Sequence, residues 1–317
     1  MAHDKRLRIL TWHVHGNYLY YLTQVPHDFY LVTDDERSVH HSGRSGTLPW
    51  GPNVHEAHVD RIRDMEFDVV LFQSREAYER EQFTLLSAAQ QRLPRIYLEH
   101  DPPQEHPTNT PHWVNDHNVL LVHVTPFNAL MWDSRDSPTQ VIEHGVKLLQ
   151  PARYSGELVR GVAVVNNLDR RGRRLGADVY KAVADCVPLT LVGMGAERSG
   201  GHGEVPNQEL PGFMARHRFF FNPIRYTSLG LSIIEAMMVG LPIVGLATTE
   251  LVTVIRNGEN GFVDTRIDRL VEAMQRLLEH PDEARRMGEA ARRDAEARFG
   301  IQRFIADWQQ ALWRVTQ

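Results

Sequence analysis

Short apolar runs recur along the chain, each followed by a polar turn and then by apolar positions at helical spacing. Runs at 7–12, 28–33, 67–72, 95–99 and 119–124 read as strands, 140–143 leads to His144-Gly145-Val146, and helices are expected at 18–23, 59–65, 76–92 and 127–132. Residues 34–56 are polar and rich in Gly, Ser and Pro, and 101–117 are rich in Pro and His, so both read as loops. After a linker at 147–160 the alternation resumes. Strands are expected at 161–165, 188–192, 219–221 and 243–246, and helices at 176–186, 210–217, 231–239, 250–256 and 268–279. A charged, Ala-rich stretch at 282–298 predicts a surface helix, and 304–313 a last helix with Phe304, Trp308, Leu312 and Trp313 on one face. Strands alternating with helices predict parallel sheets, here in two domains of an α/β protein.

The stretch 219–245 is the most informative. Phe219, Phe220 and Phe221 read as a buried strand, which Asn222-Pro223 ends because Pro has no N–H for a sheet ladder. Ser228-Leu229-Gly230 is a turn, Leu231 opens a helix, and Gly240-Leu241-Pro242 stops it. A helix that starts at a glycine turn after a strand presents free N–H groups. Its end carries roughly half a positive charge and suits a phosphate. Glu235 stands one turn in. A carboxylate there would repel phosphate, so it suits ribose hydroxyls better.

The run from Thr227 to Val244 also resembles a motif of the retaining glycosyltransferases of family 4, close to E-x-F-G-x-x-x-x-E-A-M-A-x-G-x-P-V-V. Weaker likenesses stand in the same order around it: His144-Gly145-Val146, Gly193-Met194-Gly195 and Asn257-Gly258-Glu259-Asn260-Gly261. The resemblance is strongest over 160–300. It implies the GT-B fold: two Rossmann-like parallel-sheet domains facing a cleft, with the C-terminal helix crossing back to the first. The expected boundaries are a short acceptor domain at 1–150, a nucleotide-sugar donor domain at 151–300 and the returning helix at 301–317.

The resemblance also implies roles. Glu235 would hold the donor ribose, and the backbone at Gly230, Leu231 and Ser232 the diphosphate. The motif's first Glu, placed near the transferred sugar, is Thr227 here. Family members supply an Arg and a Lys five apart from the loop after the donor domain's first strand; the matching positions are Asn166 and Arg171. Arg170 or Arg171 would then contact the phosphates, for which a guanidinium is suited. Gly193 falls at the family's glycine-marked strand end. His100, at a strand end of the first domain, matches a His that contacts the donor sugar near the reacting centre. His13, His15, Gly16 and Asn17 fall where the family has a loop near acceptor and diphosphate. Glu250 stands near a family Glu and equally suits a helix N-terminus. Ser74 and Arg75 are further candidates for acceptor contact.

Composition narrows the partners. The chain has 317 residues and a formal net charge of −5, which argues against a large nucleic-acid surface. The lone Cys186 cannot form an internal disulfide, lies in an apolar context that suggests core, and favours a reducing compartment. No apolar run approaches the roughly 20 residues of a bilayer span, and no signal-type segment follows the N-terminus, so a cytoplasmic location is expected, with peripheral membrane contact left open. Fourteen of the 17 His precede residue 150, yet none joins Cys or carboxylates at zinc spacing, so no metal is expected. The resemblance likewise implies a metal-independent enzyme with no cofactor beyond its nucleotide-sugar substrate.

The function expected is transfer of a sugar from a nucleotide diphosphate sugar to an acceptor hydroxyl with retention, in glycan or glycoconjugate biosynthesis. The acceptor would be a carbohydrate, a lipid-linked group or a small molecule. No dedicated carboxylate nucleophile is evident, so the substrate phosphate would take the acceptor proton. The alternatives are a non-catalytic nucleotide-sugar binder, which Thr227 and Asn166 favour, and another GT-B enzyme such as a sugar-nucleotide epimerase. A phosphorylase would need a cofactor Lys, and Lys is scarce. No strand is followed by G-x-G-x-x-G, which disfavours a dinucleotide-dependent oxidoreductase.

Overall fold

The structure is a computed structural model that describes residues 5–317. The chain forms two compact units, Met1–Gly145 with Ile301–Gln317, and Val146–Gly300.

In the first unit the strands are β1 (Arg8–Thr11), β2 (Asp28–Thr33), β3 (Val54–His58), β4 (Val69–Phe72), β5 (Arg95–Glu99), β6 (Val119–His123) and β7 (Thr139–Val141). They form one seven-stranded sheet in the order β3-β2-β1-β4-β5-β6-β7. Every pairing in it is parallel. The strand order reverses between β1 and β4, and ligands of open parallel sheets bind beyond the carboxyl ends at such a point. The loops after β1 and β4 begin there, at Trp12 and Gln73. Helix α1 (Gly16–Leu22) follows β1, α2 (Gln82–Leu85) follows β4, and α3 (Pro126–Met131) follows β6. Thr125 caps α3, its hydroxyl accepting from Asn128 N–H, with Pro126 at the first helical position.

The second unit holds β8 (Leu158–Val164), β9 (Leu189–Val192), β10 (His217–Asn222), β11 (Ile243–Leu246) and β12 (Gly261–Asp264). They form an all-parallel sheet of five strands in the order β12-β11-β10-β8-β9, so the order reverses between β8 and β10. Its helices are α4 (Leu168–Arg171), α5 (Ala177–Ala184), α6 (Leu210–Ala215), α7 (Leu231–Val239), α8 (Leu251–Val254), α9 (Ile267–Glu279) and α10 (Pro281–Phe299). The core joins Phe219 and Phe221 of β10 to Val179 and Val183 of α5 and to Leu270, Met274 and Leu277 of α9.

Helix α11 (Ile301–Thr316) belongs to the first unit. It buries Phe304, Trp308, Ala311 and Leu312. A Cβ on Gly145 would lie 2.1 Å from Phe304 Cβ, so the missing side chain is what lets the helix dock. Arg303 donates to the carbonyls of Glu143 and His144, and Trp308 Nε1 donates to the Tyr18 hydroxyl at 3.3 Å.

Several elements depart from the sequence reading. The loop expected over 34–56 contains the start of β3, an edge strand that pairs with β2 from Phe29↔Val54 to Thr33↔His58. Its Val-His-Glu-Ala-His sequence carries little apolar signal because only Val54 and Ala57 are buried. The helix expected over 59–65 is a single tight turn, Ile62–Asp64. The helix expected over 76–92 breaks at Leu86, which is extended. Ser87 and Gln90 explain the break. Gln90 Oε1 accepts from Ser87 N–H and Ser87 Oγ from Gln90 N–H, a reciprocal cap that starts a new turn. Cys186 is exposed rather than core; Val183 and Val187 fill that part of the core instead. The stretch at 282–298 is no mere surface helix, because α10 buries Met287, Gly288 and Ala291. Trp313 is 44% exposed, so only Trp308 of the two packs fully.

Candidate active site

In the Val146–Gly300 unit the candidate donor residues sit on loops at the carboxyl edge of the sheet, on both sides of the order reversal. Gly230 caps α7 in an extended conformation, with φ −67° and ψ 133°. The N–H groups of Leu231 and Ser232 precede any helical acceptor. A Cβ on Gly230 would meet nothing nearer than 3.7 Å, so the turn is open. Thr227, Ser228, Gly230, Leu231 and Ser232 are all half-buried, while Glu235 on the next turn is 6% exposed.

The other loops are tied to this turn. The main-chain N–H groups of Arg225 and Tyr226 donate to the Arg174 carbonyl at 3.0 and 3.3 Å. The Arg225 guanidinium donates to both carboxylate oxygens of Asp178, at 2.5 and 2.8 Å. That pairing, helped by Arg173, holds the Asp178 carboxyl down at about 2. Gly176 has φ +79°, and a Cβ there would lie 1.9 Å from the Pro223 carbonyl, so the two loops touch at backbone. Arg170 and Arg171 are exposed on α4. Asn166 Oδ1 accepts from Met194 N–H at 2.9 Å, which joins the loop after β8 to the loop after β9. Gly193 has φ +134°, and a Cβ there would meet the Val165 carbonyl at 2.7 Å. Asn166 and Gly193 thus pack together, and Asn166 has a structural contact where the family motif has a cation. Glu250 is buried and accepts from Arg298 at 2.9 Å and from the Thr253 hydroxyl, which is a structural engagement.

In the other unit His15 and His100 come together, with ring centroids 4.4 Å apart, and Tyr18 lies edge-on to His100 at 4.8 Å. His100 Nε2 bonds Gln73 Oε1 at 3.1 Å, while Gln73 Nε2 donates to Thr11 Oγ1 and the Trp12 carbonyl. This chain fixes the ring across β1, β4 and β5. Burial, with His15 and His144 adding repulsion, holds the His100 pKa well below that of a free imidazole, so the ring is neutral. His13 is engaged differently. Its Nδ1 bonds the Gly43 carbonyl at 2.7 Å and Ser45 Oγ at 3.1 Å, under the 34–56 segment. Gly16 leaves room for that ring: a Cβ would lie 3.2 Å from His13 Nε2. Asn17 is half-buried in the first turn of α1.

A cavity of about 600 Å³ adjoins His15 and His100. Sequence reasoning missed two buried groups in its wall, Glu99 and His112. Their signal was a carboxylate at a strand end followed by His112-Trp113 after a Pro-rich loop. Glu99 Oε2 accepts from His112 Nε2 at 3.0 Å, and Oε1 accepts from Asp101 N–H at 2.9 Å. His112 Nδ1 accepts from Val114 N–H, which leaves the ring's proton on Nε2. Burial lifts the Glu99 carboxyl to about 8 and lowers His112 to about 3. The pair is therefore a hydrogen bond between a neutral ring and a carboxyl group, not an ion pair.

Among the described residues no helix is long and apolar enough to cross a membrane, and no group of three or more His, Cys, Asp or Glu could hold a metal ion. Residues 198–294 match the family described as glycosyl transferases group 1. A search of curated proteins found no match. The chain is similar to the solved structure of a sucrose-phosphate synthase from Thermosynechococcus elongatus, with TM-score 0.70 and 16% identity over 98% of this chain and 99% of that one. It is also similar to Anabaena HepE in complex with UDP and glucose, with TM-score 0.68 and 15% identity over 98% and 100%. A glycosyltransferase from Rickettsia africae gives TM-score 0.64 and 13% identity over 99% of each chain. At such identities the likeness shows the fold. The chain carries a glycosyl transferases group 1 region at residues 198–294 within a GT-B fold, and together these support a glycosyltransferase.

Proposed function

We propose that the protein transfers a glycosyl unit from a nucleoside diphosphate sugar to an acceptor hydroxyl with retention of configuration, in glycan or glycoconjugate synthesis. The observation that carries this reading is the open turn at Gly230, where the N–H groups of Leu231 and Ser232 begin the helix ahead of any intrahelical acceptor, with a buried Glu235 one turn on. The turn receives the diphosphate and Glu235 accepts from the ribose hydroxyls. Arg170 and Arg171 add positive charge where charge builds on the leaving group. The acceptor oxygen bonds the anomeric carbon, the bond from that carbon to the diphosphate breaks, and the acceptor proton passes to a diphosphate oxygen. His100, held neutral, hydrogen-bonds a sugar hydroxyl rather than serving as a cation. Thr227 takes the place beside the transferred sugar, with a hydroxyl where the family motif has a carboxylate. His15, Gly16 and Asn17 face the acceptor side; His13 supports that loop from beneath.

UDP is the first nucleotide to try, since HepE is solved with UDP-glucose. UDP should raise the melting temperature, and Glu235→Ala should weaken its binding roughly 10- to 100-fold, the worth of a charged hydrogen bond. Unchanged affinity in that variant removes the ribose assignment. A second reading, a binder without turnover, is favoured by Thr227. Nucleotide-sugar binding with no product from any acceptor in a broad panel would select it.

A further inference from the structure

We propose that the cavity beside His100 in the Met1–Gly145 unit binds a neutral, polyhydroxylated ring, so that the acceptor is a carbohydrate without phosphate or carboxylate groups. This rests on the transferase reading for the word acceptor; the cavity's preference follows from its own walls. Its volume, about 600 Å³, suits one or two sugar rings. Trp113 and Trp132 line it, their centroids 5.2 Å apart and their planes 82° to one another. His112 packs on Trp113 at 4.4 Å and the Arg75 guanidinium lies over it at 5.4 Å, so the indoles form a fixed apolar wall for the carbon skeleton of a sugar rather than a bare stacking face. Trp132 Nε1 donates to the Asp101 carbonyl at 2.8 Å, which fixes both the indole and the wall made by the loop after β5.

The polar groups suit hydroxyls. Ser74 and Gln104 line it with neutral polar groups, while Gln73 is held by His100, Thr11 and Trp12. Glu99 accepts from Asp101 N–H on one oxygen and from His112 Nε2 on the other, and the His100 main chain also bonds the carboxyl. With burial raising it to about 8, its carboxyl is largely protonated near neutrality and can donate as well. The same walls reject anions. Glu79, Asp101 and Glu105 stand against Arg75 and Arg135, and Arg75 is already bonded to Glu79 at 2.7 Å. The neighbouring helical turn, a possible phosphate seat, has its Ala77 N–H taken by Ser74 Oγ and carries Glu79.

All six Trp lie in this unit, so intrinsic fluorescence reports on it alone. The full chain is titrated with maltose, cellobiose, lactose and myo-inositol, and separately with glucose 6-phosphate and glucuronate. UDP binding is followed in parallel by calorimetry. At least one neutral probe should change the emission, with the anionic probes at least about tenfold weaker, as like charge across a small cavity dictates. Glu99→Leu, which removes donor and acceptor together, should weaken the neutral probe at least about tenfold and leave UDP binding unchanged, whereas Glu99→Gln, the neutral isostere of the protonated carboxyl, should weaken it less. Trp113→Phe should remove most of the emission change, which keeps the test decisive if Glu99→Leu does not fold. Anionic probes binding as tightly, or an emission change that survives replacement of both Trp113 and Trp132 by Phe, overturn the assignment. So does silence of every neutral probe while UDP binds. Neutral probes binding without UDP would instead sustain the cavity's assignment and sink the transferase reading.

Discussion

In the Val146–Gly300 unit the central strand buries Phe219, Phe220 and Phe221 among aliphatic side chains, and His217 is the one buried histidine of that sheet. In the other unit a sheet of the same all-parallel kind buries His112, His123 and His144 and partly buries His100. One unit is built to hold its shape through apolar packing. The other buries imidazoles as well, and two of them, His100 and His112, line a cavity. The lesson is that a fold shared by two units does not imply the same response to solvent: the Val146–Gly300 unit keeps its sheet core almost wholly apolar, and the Met1–Gly145 unit does not.

Acid should separate them most strongly. His100, His112 and His123 are pushed below the usual histidine value by burial, His112 and His123 to about 3. A depressed value means stability that is present above about 6.5 and lost as pH falls towards the folded value. Glu99, raised to about 8, acts in the opposite sense: its contribution is present below about 4.5 and lost as pH rises through 8. Between pH 6.5 and 4.5 the three rings therefore outweigh Glu99, a net loss of up to roughly 3 kcal/mol per pH unit for the first unit. His217, lowered to about 4, gives at most roughly half of that in the second. Peptide-resolved hydrogen exchange at pH 7 and 5 should show β4–β6 losing protection before β8–β11. Equal loss in both units would break the comparison.

Two glycine contacts sharpen it at the level of packing. In the second unit a Cβ on Gly288 of α10 would lie 1.9 Å from the Gly240 carbonyl oxygen, at the end of α7. Backbone cannot move aside cheaply, so Gly288→Ala should destabilise that unit by about 3 kcal/mol. In the first, Gly145→Ala would drive a methyl into Phe304 and loosen α11, at about 1–3 kcal/mol. Fluorescence-detected urea unfolding reads only the first unit. It should shift in Gly145→Ala and stay put in Gly288→Ala, while circular dichroism registers both. A fluorescence midpoint moved equally by both would mean that the units unfold as one.

The same contrast governs what the sequence disclosed. The second unit was legible because its signals are local: α7 runs from Leu231 to Val239 as the turn and stop residues required, and β11 occupies the expected 243–246. The first unit hid more. β3 owes its order to pairing with β2, not to its own polar sequence. The break at Leu86 was written in Ser87 and Gln90, but a Gly- and Pro-free stretch masked it. The Glu99–His112 pair joins residues on either side of a loop, a contact that no periodicity reports. His13 and His15 alternate on one short segment, and only the folded 34–56 loop shows that they serve different places.

The smallest effect on stability should come from the glycine on which the transferase reading turns. Gly230 differs from Gly288, Gly145 and Gly176: its φ is −67°, open to any residue, and a Cβ would find free space. Packing gives no reason for a glycine there. Gly230→Ala should leave stability unchanged or raise it by up to about 1 kcal/mol, through the lower entropy of the unfolded chain. If a diphosphate seats against the backbone at Leu231 and Ser232, the added methyl stands in its approach, and UDP affinity should fall by about tenfold while melting without ligand does not. A variant that is as stable as the parent and binds UDP equally well would show that the open turn is incidental, and the anion would have to be sought at Arg170 and Arg171 alone.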